Sequence, residues 1–170
     1  AHLTWIWGSE VAYMKLDNNG SIITNGSRIT CCVSYQDKPA IATDLNDDIH
    51  IVWIDPRDGH TNVYYTKLNN NGTAIINVTP LTTRLMDFDP PSIVVDYLGD
   101  VHLAWRRRVS GGYYELFYKK INGTTAATII DDRQLTFRRN VGSDDPSIAR
   151  DSLSNIYVLW LDSRDGTEEL

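Results

Sequence analysis

The 170-residue chain has no long hydrophobic run and little clustered positive charge. No stretch approaches the roughly 18 apolar residues that a membrane span needs, so we expect no membrane segment within the chain. The chain has 16 Lys and Arg against 22 Asp and Glu. Its one basic run, Arg106-Arg107-Arg108, is interpreted as a solvated loop. Phosphate binding requires a basic cluster, so the net charge of −6 argues against a nucleic-acid partner.

Cysteine is scarce, and the two residues present, Cys31 and Cys32, are adjacent. Neighbouring cysteines cannot connect distant parts of a fold. Their spacing also lacks the C-x-x-C pattern of many metal and haem sites, which leaves such ligation unsupported. A vicinal disulfide between Cys31 and Cys32 and a pair of unpaired thiols are both compatible with this sequence.

Helical periodicity is absent over any useful length, and the chain instead repeats one phrase. Residues 49–59 return as residues 156–166, and weaker copies begin at Ala1 and Val101. The phrase contains a tryptophan each time, at positions 5, 53, 105 and 160. A repeat of about 50 residues indicates an array of similar structural units.

One repeat unit predicts four short strands, named a to d. Strand a is Pro39–Asp44, and strand b is the continuous apolar run 49–54, which is typical of a strand buried on both faces. Strand c covers 62–68, and strand d ends near residues 80–82. The turn-forming segments Asp55–Gly59 and Asn69–Gly72 follow strands b and c.

Four antiparallel strands every 52–55 residues or so predict an all-β fold made of β-propeller blades. We expect a single partial propeller over residues 1–170 and interpret the chain as a piece of a longer protein. Its predicted parts are strands b–d of a first blade at 1–30, a second blade at 39–82, a third at 91–136 and the start of a fourth at 146–170. Three to four blades is the lower limit for a closed ring, so these blades are expected to be part of a larger propeller.

The phrases Pro-x-Ile-Ala-x-Asp and Ile-His-Val-x-Trp-x-Asp-x-Arg-Asp-Gly, best matched within residues 39–72, resemble a known family. They are similar to sialidase-like (BNR-like) propeller repeats of large archaeal and bacterial secreted or cell-surface proteins. Such propellers serve as enzymes, lectins or passive surface modules. Sialidases need three arginines around the substrate carboxylate, whereas Arg57 and Arg164 recur in phase with the repeat and therefore look structural.

Several polar residues also recur in phase. The histidines at positions 2, 50 and 102 share one repeat position, which favours core packing with one hydrogen bond over catalysis. Asp44, Asp96 and Asp151 recur after strand a, where an aspartate can cap a turn. A calcium site at Asp44, Asn46 and Asp48 is the alternative, because alternating oxygen ligands suit this cation, although a complete calcium loop is missing. We therefore expect no cofactor.

Residues that break the repeat are the candidates for recognition. Trp7 stands where other copies carry Asp55, Arg107 or Asp162, and an exposed tryptophan there would be a binding residue. The longest, least repeated loops connect strand d to the next strand a. We expect partner contacts at Trp7 and at six residues of these loops: Arg84, Met86, Phe88, Phe137, Arg138 and Arg139.

Five Asn-x-Ser/Thr sequons are present. Their asparagines are Asn19, Asn25, Asn71, Asn77 and Asn122. Asn-Gly also favours hairpin turns, so turn formation is the alternative explanation for most of them. We expect an exported, N-glycosylated protein that is located outside the cell or at its surface.

These observations predict a non-catalytic extracellular module with a structural, adhesive or protein-interaction role and no catalytic residues. The expected partners are further blades or copies of the same protein, in a filament or surface layer. The alternative is a carbohydrate-binding or sialidase-like glycoside-processing propeller. A cluster of non-repeated acidic residues would distinguish the two, because glycosidases need paired carboxyl groups.

Overall fold

The computed structural model describes residues 1–31, 35–57, 59–83, 91–137 and 143–162. The chain divides into two compact units, Ala1–Arg84 and Leu85–Leu170. All regular structure in the described ranges is β-strand, and they contain no helix that could cross a membrane.

The first unit contains two antiparallel sheets, whose strands are paired in chain order. The three-stranded sheet consists of β1 (His2–Trp7), β2 (Glu10–Leu16) and β3 (Ile22–Arg28). The four-stranded sheet consists of β4 (Asp37–Thr43), β5 (Ile49–Asp55), β6 (Asn62–Leu68) and β7 (Ala74–Pro80). In the predicted scheme β1 and β5 are strands b, and β4 is strand a.

The second unit also contains two antiparallel sheets. Its four-stranded sheet consists of β8 (Ser92–Val95), β9 (Val101–Arg108), β10 (Tyr114–Ile121) and β11 (Thr128–Gln134), and its two-stranded sheet consists of β12 (Ser143–Arg150) and β13 (Ile156–Asp162). The predicted all-β fold with sheets of four antiparallel strands is therefore confirmed. The division of the chain into parts of one propeller stays a prediction. The start of strand c in the fourth blade lies outside the described residues.

Burial explains the strand pattern. Every residue of β5 and β6 is buried, as the continuous apolar run of strand b predicts, whereas most residues of β3, β7 and β11 are partly or fully exposed. In the first unit, Val11 and Tyr13 of one sheet pack with Ile49, Ile51 and Trp53 of the other. Burying a side chain of this size contributes about 1.5–3 kcal/mol to the free energy of unfolding.

A β-bulge recurs in the pairing of strands c and d. The register shifts between Tyr13 and Lys15, between Tyr65 and Lys67, and between Tyr118 and Lys120. A bulge adds a residue to one strand and increases the local twist. Because it recurs at one repeat position, it belongs to the structure of the first three repeats.

Aspartates cap the turns between strands a and b, as predicted. The Asp44 Oδ1 atom accepts the N–H groups of Asn46 and Asp48 at 2.9 and 3.0 Å. Asp96 and Asp151 make the same pair of hydrogen bonds to the residues two and four positions further on. A side-chain acceptor with two backbone donors fixes the turn and therefore the register of the two strands.

Candidate functional site

A cluster of four polar residues recurs in both four-stranded sheets. In the first unit, the His50 Nε2 atom lies 3.3 Å from Asp44 Oδ2, which also accepts a hydrogen bond from Lys67 Nζ at 2.9 Å. The neutral His50 ring donates from Nε2, so its Nδ1 accepts the hydroxyl of Tyr65 at 2.8 Å. Burial lowers the pKa of His50, and this outweighs the hydrogen bond to Asp44, which raises it.

The second unit has the same cluster. His102 lies 3.0 Å from Asp96 and 2.7 Å from the Tyr118 hydroxyl, and Lys120 binds Asp96 at 3.0 Å. Two copies with the same partners support the interpretation of these histidines as part of the core. In the two-stranded sheet, the Tyr157 hydroxyl donates to Asp151 at 3.0 Å and thereby takes the place of the histidine.

A second recurring position lies at the end of strand b, beside the loop to strand c. Asp55 is fully buried and accepts hydrogen bonds from the indole N–H of Trp53 at 3.3 Å and from the side chain of Arg57. The Arg57 guanidinium also lies 4.5 Å from the Tyr64 ring centre. This arrangement shows that the Trp-x-Asp-x-Arg part of the repeat holds the loop in place.

The third repeat carries a residue of opposite charge at this position. Arg107 occupies the place of Asp55, and it pairs with Glu115 where Asp55 pairs with Asn62. The Arg107 guanidinium stacks 3.6 Å from the Phe117 ring centre. The buried indole N–H of Trp105 has no hydrogen-bond acceptor among the described residues.

The first repeat has a different, partly exposed arrangement at the same position. Trp7 pairs with Glu10 across the strands, and its side chain is 48% exposed. The Trp5 ring stacks on Trp7 with 6.4 Å between ring centres, and the Arg28 guanidinium lies 5.1 Å from the Trp7 ring. Arg28 Nε lies 3.0 Å from Oε2 of the buried Glu10 carboxylate and forms an ion pair with it, without the geometry of a hydrogen bond. We name Trp5, Trp7, Glu10 and Arg28 the Trp7 cluster.

The Trp7 cluster combines groups that suit a sugar. An exposed aromatic ring offers an apolar surface, and a guanidinium held by a carboxylate offers fixed hydrogen-bond donors. The sequence pointed to Trp7 because it breaks the repeat, but it did not point to Arg28 or Glu10. Glu10 and Arg28 lie on two different strands, so only the pairing of the strands brings their side chains together.

The other predicted interaction residues are only partly described. Phe137 is 76% exposed and lines a groove of about 380 Å³ in the second unit, together with Tyr118, Leu135, Ile156 and Val158. The remaining five, Arg84, Met86, Phe88, Arg138 and Arg139, lie outside the described residues. Partner contacts at these loops stay a prediction.

The oxygens of the predicted calcium site already bind the ammonium group of a lysine. Lys67 Nζ lies 2.9 Å from Asp44 and 3.0 Å from Asp48, and Asn46 contributes its backbone N–H to Asp44. A calcium ion would have to displace Lys67 from these oxygens. The geometry therefore favours the turn-capping interpretation.

The predicted glycosylation sites differ in accessibility. Asn19, Asn25, Asn71 and Asn77 are exposed, and the last two lie in the same four-stranded sheet or its turn. Asn122 is half-buried, because its side-chain N–H₂ donates to Asp100 at 3.3 Å and its Oδ1 accepts from Thr124 and Thr125. The occupancy of all five sites stays a prediction.

The predicted vicinal disulfide involves one described residue. Cys31 is exposed, and Cys32 lies outside the described ranges. The disulfide therefore stays a prediction.

Three solved structures similar to the chain are glycoside-processing enzymes. An endo-1,4-beta-xylanase from Bacteroides thetaiotaomicron has a TM-score of 0.62 at 8% identity, with 98% of this chain and 62% of that chain covered. An endo-arabinase from the same organism has a TM-score of 0.57 at 11% identity, with 97% of this chain and 70% of that chain covered. A thermostable family-43 glycoside hydrolase has a TM-score of 0.53 at 10% identity, with 95% of this chain and 65% of that chain covered.

The chain thus spans about two thirds of the length of these three structures. No protein-family model matches the chain, and no curated protein sequence is significantly similar to it. The structural likeness confirms the β-propeller fold, and the resemblance to sialidase-like repeats holds at the level of that fold.

The same likeness corrects the expected function. A non-catalytic module with a structural or adhesive role, without enzymatic activity, was expected because the ionisable residues recur in phase. The three similar structures are enzymes that act on glycosides, so the expectations of a non-catalytic role and of no enzyme are wrong. The comparisons favour the alternative, a glycoside-processing propeller.

Proposed function

We propose that this chain is part of a glycoside-processing β-propeller and that the Trp7 cluster binds a sugar residue of its substrate. The observation that carries the proposal is the exposed Trp7 ring beside a guanidinium that a buried carboxylate holds in place. Sugar rings present C–H faces to aromatic rings and hydroxyl groups to charged side chains. The similarity of the chain to a xylanase and an arabinase supports the same class of ligand.

Each member of the cluster has a distinct role in this proposal. Trp7 stacks on the sugar face, Arg28 donates hydrogen bonds to hydroxyl oxygens, and Glu10 orients Arg28. Asp55 fills the equivalent place in the second sheet and is fully buried, so that position presents no aromatic surface. The ligand site is therefore specific to the first repeat.

Affinity electrophoresis of the 170-residue chain in gels containing arabinan, xylan or a sialylated glycan tests the proposal. We expect retardation by at least one of these glycans and about a tenfold weaker affinity for Trp7→Ala, which corresponds to about 1.4 kcal/mol. Tyr97→Ala is the matched control, because Tyr97 is also exposed and has the Arg150 guanidinium 3.9 Å from its ring centre. Equal affinity of Trp7→Ala and the native chain would refute the role of the cluster.

Hydrolysis is tested separately on the full-length protein. Glycoside hydrolysis needs two carboxyl groups, spaced about 5–5.5 Å or 6.5–9.5 Å apart depending on stereochemistry. We expect release of reducing sugar from the glycan that the chain binds. Binding without hydrolysis by the full-length protein would leave a lectin and contradict the enzymatic part of the proposal.

We also propose that the protein acts outside the cell and carries N-glycans on its exposed sequons. Support comes from the accessibility of Asn19, Asn25, Asn71 and Asn77. A polysaccharide substrate would also be too large to cross a cell membrane readily. Localisation of the full-length protein by cell fractionation, with glycosidase treatment followed by intact mass, checks both points.

A further inference from the structure

We propose that the sugar site of the Trp7 cluster, which rests on the function proposed above, extends to Tyr35 and takes at least two consecutive residues of a neutral oligosaccharide. Tyr35 lies in the segment between β3 and β4, and its side chain is 70% exposed. An exposed tyrosine offers a broad apolar surface and one hydroxyl group, at a low cost in conformational entropy. Its ring therefore suits a second sugar residue.

A backbone hydrogen bond places Tyr35 beside the Trp7 cluster. The N–H of Gln36 donates to the Ser9 carbonyl at 3.3 Å, and Ser9 directly precedes Glu10 of the cluster. The covalent bonds on both sides of this contact put the Tyr35 Cα atom at most about 9 Å from the Glu10 Cα atom. Because Trp7 pairs with Glu10 across the turn between β1 and β2, both exposed aromatic side chains lie at the same end of the first sheet.

Gln36 fixes this segment from its buried side. Its side chain is fully buried, and its Oε1 atom accepts hydrogen bonds from the Val11 N–H, at 3.0 Å, and from the Thr30 hydroxyl. Val11 is a core residue of β2, the strand that begins with Glu10. The backbone next to Tyr35 is therefore held in place before any ligand binds, so less conformational entropy is lost on binding.

The charges of the cluster favour a neutral sugar. The Arg28 guanidinium lies 3.0 Å from the buried Glu10 carboxylate, so this ion pair has no net charge. The carboxylate of an acidic sugar would have to compete with Glu10 for the guanidinium. The hydroxyl groups of a neutral sugar can instead accept hydrogen bonds from other N–H groups of Arg28, which has five such donors.

NMR titration of the 170-residue chain with xylose and xylotriose, and with arabinose and arabinotriose, tests the second aromatic contact. In at least one series we expect the trisaccharide to bind about tenfold more tightly than the monosaccharide, because its further residues reach Tyr35. Tyr35→Ala should abolish this gain with length and leave the affinity for the monosaccharide unchanged. Tyr35→Phe should retain the gain, because stacking needs the ring and not the hydroxyl group.

Tyr97→Ala is the matched control, because Tyr97 is an exposed tyrosine of the second unit, and its affinities should equal those of the native chain. Sialyllactose should bind no more tightly than lactose, as expected for a neutral site. Three results would each overturn the proposal: tighter binding of sialyllactose, a gain with length that persists in Tyr35→Ala, or an equal loss of monosaccharide and trisaccharide affinity in Tyr35→Ala.

Trp7→Ala separates this proposal from the proposed function. It should weaken the binding of both the monosaccharide and the trisaccharide, because one sugar residue stacks on Trp7. Weaker binding by Trp7→Ala, together with native binding by Tyr35→Ala, would overturn the second contact alone. Absence of binding to any of these sugars by the native chain would overturn the sugar site and its extension together.

Discussion

At the scale of single residues, the position of a charge in the repeat determines its role. Asp96 has hydrogen bonds from His102 and Lys120, and the equivalent Asp44 has them from His50 and Lys67. The recurrence of these residues predicted a structural role. The exact partners could not be predicted, because they lie on two different strands that follow the aspartate in the chain.

The pKa of Asp96 gives a testable pH dependence. Burial alone would raise this pKa, but hydrogen bonds from His102, Lys120 and the Asp100 N–H lower it to about 2. A carboxylate with a lowered folded-state pKa stabilises the fold above its unfolded value of about 3.9 and loses this effect as the pH falls toward 2. We expect the free energy of unfolding to decline over this range, and to decline less in Asp96→Asn.

Urea denaturation at a series of pH values measures this difference. At pH 7, Asp96→Asn should also cost about 1.5–3 kcal/mol, as expected for hydrogen bonds to a charged group. Asp131→Asn is the control, because Asp131 binds Lys119 at 2.8 Å but its side chain is 86% exposed. The same pH profile for Asp96→Asn and the native protein would contradict the expected contribution.

The charge reversal at Arg107 predicts a dependence between two positions. Arg107→Asp alone should destabilise the chain, because its carboxylate would lie directly opposite Glu115. Adding Glu115→Asn removes this repulsion and reproduces the Asp55 and Asn62 pair. We expect the free energy of unfolding of the double variant, measured by chemical denaturation, to exceed that of the single Arg107→Asp variant by about 1 kcal/mol. Equal free energies of unfolding for the two variants would contradict the expected repulsion between positions 107 and 115.

At the scale of elements, the strands could be predicted better than their turns. Strand b was recognisable because its apolar residues form a continuous run, and strand c because it follows a turn-forming segment. The c–d turns were harder, since the turn at Asn122 closes on Ala127, one residue later than the turn at Asn69, which closes on Thr73. The sequence groups Asn71 and Asn122 as equivalent sequons, but Asn122 occupies the turn-capping place of Asn69.

This difference predicts unequal glycosylation. After expression in a glycosylating host, Asn71 should be modified and Asn122 should stay largely unmodified, because its side-chain nitrogen donates to Asp100. Peptide mass spectrometry with and without glycosidase measures the occupancy of each site. Asn19 is the matched comparison, since Asn19 and Asn71 follow the capping residues Asp17 and Asn69 by the same two positions. Equal occupancy at Asn71 and Asn122 would contradict the prediction.

At the scale of the whole molecule, the repeat predicted the fold but not the function. In-phase residues such as His50 and Asp55 form the structure of each repeat, so their number says nothing about catalysis. The expectation of a non-catalytic module extended this argument too far, because an active site needs only a few residues outside the repeat. Trp7 lies outside the repeat pattern, and its contact with Arg28 became visible only in the folded chain.

For the whole chain, we predict a thermal stability that does not depend on calcium. Because Lys67 supplies the positive charge between Asp44 and Asp48, the melting temperature should be unchanged by a chelator. Differential scanning calorimetry with EDTA, and then with excess calcium, measures this. A melting temperature that falls with EDTA and recovers with calcium would restore the calcium alternative.

The recurring bulge has a further consequence for how the molecule avoids self-association. Strands β3, β7 and β11 form edges of their sheets, and an exposed regular edge is a template for aggregation with other chains. Each of these edges belongs to a bulged strand pair, which disturbs the regular spacing that an incoming strand would need. The β1–β2 pair has no such interruption. The same small irregularity thus protects these three edges from unwanted pairing.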